Sequence, residues 1–269
     1  MSFIDIGVNL TNNRFNDDYE HVIKKARNHR VTAHIITGTT PEESQQAFAL
    51  AEQFPDLFST AGCHPHDAKD FKNDDLSLLK ELLQQDKVVA VGECGLDYNR
   101  NFSPQETQLA VFEQQLQLAC DIQKPLFLHE RDAGEAMISL LQQYQAQLPK
   151  AVIHCFTGSQ ESLKQYIDMG LYIGITGWIC DERRGQDLAN MVHLIPDDKL
   201  MMETDSPFLT PRDLSKEQKA QLKSNRNEPF LLPHVAQKIA DCREQSLLEL
   251  SKHCFNNTVT FFNLPIKQQ

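Results

Sequence analysis

Short apolar, β-branched runs alternate with longer amphipathic stretches along the chain. The runs are Phe3–Val8, Val31–Thr37, Leu57–Ala61, Val88–Gly92, Pro125–Leu128, Ala151–Ile153, Leu171–Ile175 and Lys199–Met202. Short apolar runs of this kind predict parallel strands buried on both faces. Between the runs, residues 16–29, 41–54, 74–84, 104–121, 133–147, 160–168 and 185–193 carry helical periodicity. Two further helices, 230–242 and 246–263, follow the last run. Thr40 before Pro41, and Ser103 before Pro104, read as helix N-caps followed by a proline in the first turn.

Repeated βα units with no break in composition predict a parallel sheet, either open or closed. An open, doubly wound sheet usually carries a glycine-rich turn after its first strand. Gly7-Val8-Asn9-Leu10-Thr11-Asn12 is not one. Eight strand candidates favour closure, so the expected fold is a (β/α)8 TIM barrel of the metal-dependent hydrolase type, a single domain over residues 1–269. Residues 206–229 read as a long polar loop, a feature that is commonly functional.

Polar groups stand at the C-terminal ends of several runs: Glu93, His129, His154 and Asp205. His129 follows Glu93 by 36 positions and His154 follows His129 by 25, each near one βα unit of roughly 30 residues. Asp205, a further 51 on, fits two units. In a barrel all four would emerge at the end where active sites lie. A glutamate, two histidines and an aspartate meeting there make a divalent-metal site of mixed nitrogen and oxygen donors, suited to Mn²⁺, Zn²⁺ or Mg²⁺.

His64 and His66 follow the third run and would bind a second metal or a phosphate, or else sit solvated in a proline-stiffened loop. Glycines on both sides of Glu93 permit close backbone approach to a ligand. Asp97 would orient a ligand histidine or cap the next turn. Arg100, Arg131, Arg183, Arg184, Arg212 and Arg226 fall in the same loops and suit phosphate oxygens, although acidic neighbours offer them surface pairing instead. Trp178 and Tyr98 would stack on a base or pack in the core.

Net charge of −11 argues against non-specific coating of nucleic acid, but not against gripping a strand end in a local basic pocket. Seven cysteines at irregular spacing, with no C-x-x-C pair, read as reduced thiols. With neither a secretory signal nor a membrane-length apolar run, a cytoplasmic protein is expected.

The segments Asp5–Leu10, Gly62–His66, Gly92–Asp97, Leu128–Asp132, His154–Gly158, Glu203–Pro207 and Arg226–Pro229 together resemble the TatD family of metal-dependent deoxyribonucleases, within the amidohydrolase-like barrels. Gly177–Gly185 and Pro211–Leu214 resemble the branch that gives the family its name. The resemblance implies a Mg²⁺- or Mn²⁺-dependent 3′–5′ exonuclease on single-stranded DNA or RNA ends, active in DNA repair. It implies Glu93, His129 and His154 as metal ligands, and Asp205 as a further ligand or the base that activates water. His64, His66, Arg131, Arg183 and Arg212 would then meet substrate phosphate. Many members open with a His-x-His pair; Gly7 and Asn9 stand there instead, which implies one tight metal and a second recruited by substrate. A monomer is expected. The alternative on the same metal chemistry is a D-aminoacyl-tRNA deacylase.

Overall fold

The computed structural model describes residues 1–267. Eight strands form one sheet in chain order: β1 (Phe3–Val8), β2 (Val31–Ile36), β3 (Leu57–Ala61), β4 (Val88–Asp97), β5 (Leu126–Arg131), β6 (Ala151–Ile153), β7 (Tyr172–Ile175) and β8 (Leu200–Met202). The helices are α1 (Tyr19–Asn28), α2 (Pro41–Ala51), α3 (Asn73–Leu82), α4 (Gln105–Ile122), α5 (Gly134–Gln143), α6 (Gln160–Asp168), α7 (Gln186–Met191), α8 (Lys216–Lys219), α9 (Leu232–Cys242) and α10 (Leu247–Phe262). Two compact units are present. One comprises Met1–Ile35 together with the chain from Ile173 onward; the other is Ile36–Tyr172.

In the Ile36–Tyr172 unit, β3 to β6 lie side by side and parallel, with Thr60 opposite Ala90, Val91 opposite Leu126 and Leu128 opposite Ile153. Every residue of β3 and β4 is buried, as expected of strands covered on both faces. Thr40 caps α2 as its sequence predicts, its side chain accepting the Glu43 N–H at 3.1 Å. Ser103 does not cap α4. That position falls to Pro104, which makes no side-chain cap bond. The Ser103 hydroxyl is engaged elsewhere: it donates to the His66 carbonyl at 2.8 Å and accepts the Lys69 N–H at 3.0 Å.

β4 and β5 run further than their apolar cores predict, so Glu93 and His129 lie within strands rather than after them. The ladder continues through Cys94–Leu128, Gly95–His129 and Asp97–Arg131, past a shift in register between Val91 and Cys94. Backbone pairing, not side-chain propensity, carries the strand across its glycines.

In the other unit, β7 pairs with β8, and β8 returns to β1. The Asp205 N–H donates to the Gly7 carbonyl at 2.9 Å and the Asn9 N–H to the Ser206 carbonyl at 2.8 Å. Strand order by sequence, closed by this return, is the order of a (β/α)8 barrel. α10 packs on β1 and β8, and the Asn257 side chain donates to the Asp197 and Leu200 carbonyls at 2.7 and 2.8 Å. The polar loop after β8 is more ordered than its composition suggests. It contains α8, closed by a reciprocal Ser215–Gln218 capping box, and Leu214 and Leu222 pack against Phe230 and Leu231. Among the described residues no helix is long and apolar enough to cross a membrane.

Candidate metal centre

Four successive strands each deliver one group to the same end of the Ile36–Tyr172 unit. His64 follows β3, Glu93 lies in β4, His129 in β5, and His154 directly follows β6. Backbone bonds fix three of them. The His64 N–H reaches the Thr39 carbonyl at 2.8 Å, that of Glu93 the Gly38 carbonyl at 2.8 Å, and that of His154 the Leu128 carbonyl at 2.9 Å. The His154 ring also stacks on Phe127, centroids 4.6 Å apart. Gly92 and Gly95 have φ of +135° and +139°, and a Cβ on either would run into the β5 backbone, at the Phe127 and His129 carbonyls. The close approach these glycines permit is to a neighbouring strand, not to a ligand.

Three imidazoles converge on one oxygen. Glu93 Oε1 lies 2.8 Å from His154 Nε2, 2.9 Å from His129 Nδ1 and 3.2 Å from His64 Nε2. Burial would push the Glu93 carboxyl up, but His154, His64 and His129 together hold it well below the ordinary value, so it is a carboxylate. Burial lowers His64 to about 4 against the pull of Glu93, which leaves that ring neutral; its Nδ1 accepts the His66 N–H at 3.1 Å. His129 is raised despite its burial, by Asp97 and Glu93.

Asp97 caps the turn after β4, ties down the His66 ring and faces His129 without bonding it. Its Oδ2 lies 2.7 Å from His66 Nε2 and 3.6 Å from His129 Nε2, while its Oδ1 accepts the N–H groups of Asn99 and Arg100 at 3.0 and 2.8 Å. Burial would raise it, but His129 and His66, with the Arg100 N–H, hold it far below the usual carboxylate range.

These residues fit a divalent cation. One ligand atom each from His64, Glu93 and His129 lie within 4.8 Å of one another. His129 Nε2 is buried with no hydrogen-bond partner, and 3.6 Å to Asp97 is beyond hydrogen-bond reach. Two imidazole nitrogens and a carboxylate are the donors of catalytic sites that keep an open position.

The remaining predicted groups divide. His66 is not a solvated loop imidazole: it is tied to Asp97 and packed edge-on to His64. Arg131 closes β5 two residues beyond His129, hence on the same face. In the other unit, Asp205 follows β8 in a left-handed conformation, φ +52°, and Asn9 Nδ2 donates to its Oδ1 at 2.9 Å. Asn9 therefore works through its N–H on a carboxylate rather than as an oxygen ligand. Arg183, Arg184 and Arg212 gather around the buried Asp181, at 3.7, 2.9 and 4.0 Å, with all three side chains about half exposed. Glu182 and Asp213 stand beside them in sequence, so the cluster offers exposed guanidinium groups within a mixed-charge surface. Arg184 also lies over Trp178, 4.3 Å from the ring.

Arg226 does not belong with the exposed arginines. It is buried, and its fork is taken by Asp18 and Glu228. Of the readings open for His64, the geometry favours a metal role, but in the same group as Glu93 and His129 rather than at a second metal. One feature escapes the sequence reading. Phe102, the one apolar residue of Asn99-Arg100-Asn101-Phe102-Ser103, is an exposed aromatic packed on His66.

Residues 4–263 match the TatD related DNase family. A protein of Erwinia tasmaniensis described as a 3'-5' ssDNA/RNA exonuclease TatD is 48% identical over 261 residues, covering 97% of this chain and 99% of its own. One of Escherichia fergusonii, described in the same words, is 46% identical, covering 97% and 98%. Among solved structures, YJJV, a TatD homologue of Escherichia coli, superposes with a TM-score of 0.89 at 28% identity, covering 98% of each chain. A TatD family hydrolase of Entamoeba histolytica gives 0.86 at 27% identity, covering 97% and 98%. That family implies a divalent metal, which the His64, Glu93 and His129 donors are built to take. Motifs, strand order and donor geometry thus agree with similarity along the whole length, and the chain belongs to the TatD related DNase family.

Proposed function

We propose that this protein is a divalent-metal-dependent 3′–5′ exonuclease that shortens single-stranded DNA or RNA, as its relatives' descriptions read. The observation that carries the proposal is the convergence of His64, His129 and His154 on Glu93 Oε1. Glu93, His129 and His154, with His64, would hold the ion. Mg²⁺ is the proposed working metal, with Mn²⁺ or Zn²⁺ able to replace it. When bound, a divalent cation supplies Lewis acidity to a phosphoryl oxygen and to water.

The side chains supply the rest. Asp205, oriented by the Asn9 amide, takes the proton of the attacking water. The water oxygen bonds to phosphorus, the bond from phosphorus to the leaving 3′ oxygen breaks, and that oxygen takes up a proton from solvent while Asp205 returns its own. His66, Arg131, Arg183 and Arg212 neutralise phosphate charge before and during that step. Asp97 holds the His66 ring and faces His129, so it is a positioning residue for both. The family match over nearly the full length supports one catalytic domain, and the lack of a disulfide at any of the seven cysteines suits the reducing cytoplasm; a monomer with a place in DNA repair completes the proposal.

The test is protein stripped with EDTA and assayed on 5′-labelled single- and double-stranded oligonucleotides with Mg²⁺, Mn²⁺ or Zn²⁺ restored. Progressive loss from the 3′ end of the single strand, only with metal present, is the expected result. Turnover untouched by chelation would overturn it. So would release of amino acid from charged tRNA with no shortening of any strand.

A further inference from the structure

The loop from Tyr98 to Ser103 presents an aromatic ring to solvent and is held too firmly for that exposure to be incidental. Phe102 is 54% exposed. An exposed phenylalanine forgoes the burial that makes the residue worth having in a fold. Yet the backbone on both sides of it is anchored to buried groups. On the near side, Asp97 Oδ1 accepts the Asn99 and Arg100 N–H groups, and Asn101 Nδ2 donates to the Tyr98 carbonyl at 2.6 Å. On the far side, the Ser103 hydroxyl is bonded to the His66 carbonyl and the Lys69 N–H, and its carbonyl accepts Gln108 Nε2 at 2.9 Å. Ser103, Gln108 and Asp97 are all buried. This is why Ser103 is not spent on capping α4.

The ring is also next to the reaction centre. Phe102 packs edge-on against His66, centroids 4.7 Å apart. His66 in turn lies 4.2 Å from the His64 ring and 6.2 Å from that of His129. The Arg100 guanidinium stands 5.9 Å from the Phe102 ring. A rigid, open, apolar face with a cation beside it, one imidazole away from metal-ligating groups, matches what single strands bind: a π-face for the base and positive charge for the backbone.

We propose that Phe102, flanked by His66 and Arg100, is a nucleobase subsite that stacks the base of the terminal nucleotide while its phosphate is held at the metal centre. This assignment rests on the exonuclease reading and gives that site a reason to prefer unpaired ends. A base within a duplex is already stacked and paired, so its face is not free to lie on Phe102. Phenylalanine offers no hydrogen-bond donor or acceptor, so the subsite tolerates all bases and favours purines for their larger face.

Two measurements on the full chain test it. The first uses a thymidine oligonucleotide ending in 2-aminopurine, its terminal linkage a phosphorothioate that resists cleavage. Stacking quenches the probe, so mixing with wild type should lower its fluorescence and mixing with Phe102→Ala should not. The second is steady-state cleavage of natural ends against ends lacking the terminal base. Phe102→Ala should raise KM about tenfold, with kcat much less affected, and abolish the preference for a base-bearing end. Phe102→Trp should restore both. Identical quenching and identical end preference in wild type and Phe102→Ala, with unchanged thermal unfolding, would overturn the subsite. Quenching by wild type without cleavage of any oligonucleotide would overturn the exonuclease reading and leave the subsite standing.

Discussion

Replacing Arg226 with methionine should weaken the fold and leave substrate handling intact, the reverse of what an arginine that grips phosphate would do. The guanidinium makes a two-pronged bond to Asp18, both contacts 2.8 Å, with a third contact to Glu228 at 3.1 Å. It also donates to the Arg14 carbonyl and lies 4.6 Å from the Phe15 ring. It thus ties the start of α1 to the loop that follows β8, across 208 positions of sequence. Removing one partner of a buried pair typically costs about 3–5 kcal/mol, because the other charge is left without compensation.

Two features place Arg226→Met at the lower end of that range. Asp18 is partly exposed and can regain water, and Glu228 keeps Lys25 Nζ at 2.7 Å. A loss of about 3 kcal/mol lowers the melting temperature of a chain this size by roughly 6–12 °C. There is a pH signature as well. The Arg226 hydrogen bonds hold the Asp18 carboxyl below its ordinary 3.8 despite some burial. Its contribution is therefore present above pH 4 and lost as pH falls through the lowered value, so the gap between wild type and variant narrows in acid. Thermal scans from pH 7 down to pH 3, paired with KM for a single-stranded oligonucleotide at neutral pH, read both effects. A variant with unchanged melting and a raised KM would refute the structural assignment. Arg183→Ala and Arg212→Ala, both exposed, should show that opposite pattern.

Three further changes probe the centre and its supports. Gly95→Ala forces a Cβ toward the His129 carbonyl at φ +139°, so it should cost about 2 kcal/mol or more and weaken Mn²⁺ binding; a calorimetric titration matching wild type would contradict this. Asp97→Asn removes the charge that faces both His66 and His129 and should lower metal affinity by roughly 10–100-fold in the same titration; because its partners hold the carboxyl far below the usual range, melting at neutral pH should fall as well. Asp5, buried against Thr204, is pushed up by burial to about 8 despite the bonds it accepts from Thr204 and Gly7. Its native form holds a proton that the unfolded chain releases above 3.8, so stability should fall as pH rises from about 4 toward 8, by at most about 1.4 kcal/mol per pH unit. Asp5→Asn should lack that slope, and parallel denaturation profiles of the two proteins would show the carboxyl to be ordinary.

What could be read in advance follows from how local each cause is. β1, β3 and β6 are short, largely apolar runs, and their predicted limits coincide with the observed ones. β4 is cut short in sequence because Gly92-Glu93-Cys94-Gly95 has little intrinsic preference for a strand; only the partner backbone of β5 keeps it extended, and no local signal reports that partner. Glu93, His129 and His154 are legible because the barrel repeats: a polar residue recurring with the βα period at strand ends has to share a rim with the others. His64 obeys the same period, but in the run Cys63-His64-Pro65-His66 the sequence leaves a second metal, a phosphate and a solvated loop all open to it.

Partners distant in sequence are another matter. An arginine beside acidic neighbours looks the same in sequence whether it is surface-exposed, like Arg183, or locked on Asp18, like Arg226. Only burial separates them, and burial is a property of the folded chain. Phe102 shows the converse. Polar flanking residues already mark it as exposed, and exposure alone says little of function. The clamps at Asp97 and Ser103 turn an exposed ring into a fixed one, and His66 turns a fixed ring into a neighbour of the metal group. The candidate metal centre is thus written in residues that recur with the fold's own period, whereas the proposed base subsite arises from side-chain ties with no period at all. Variants at the clamps, Ser103→Ala above all, should therefore disturb the choice of strand end more than the rate of cleavage once a strand is bound. Equal losses in both for Ser103→Ala would show that the loop serves the metal group directly.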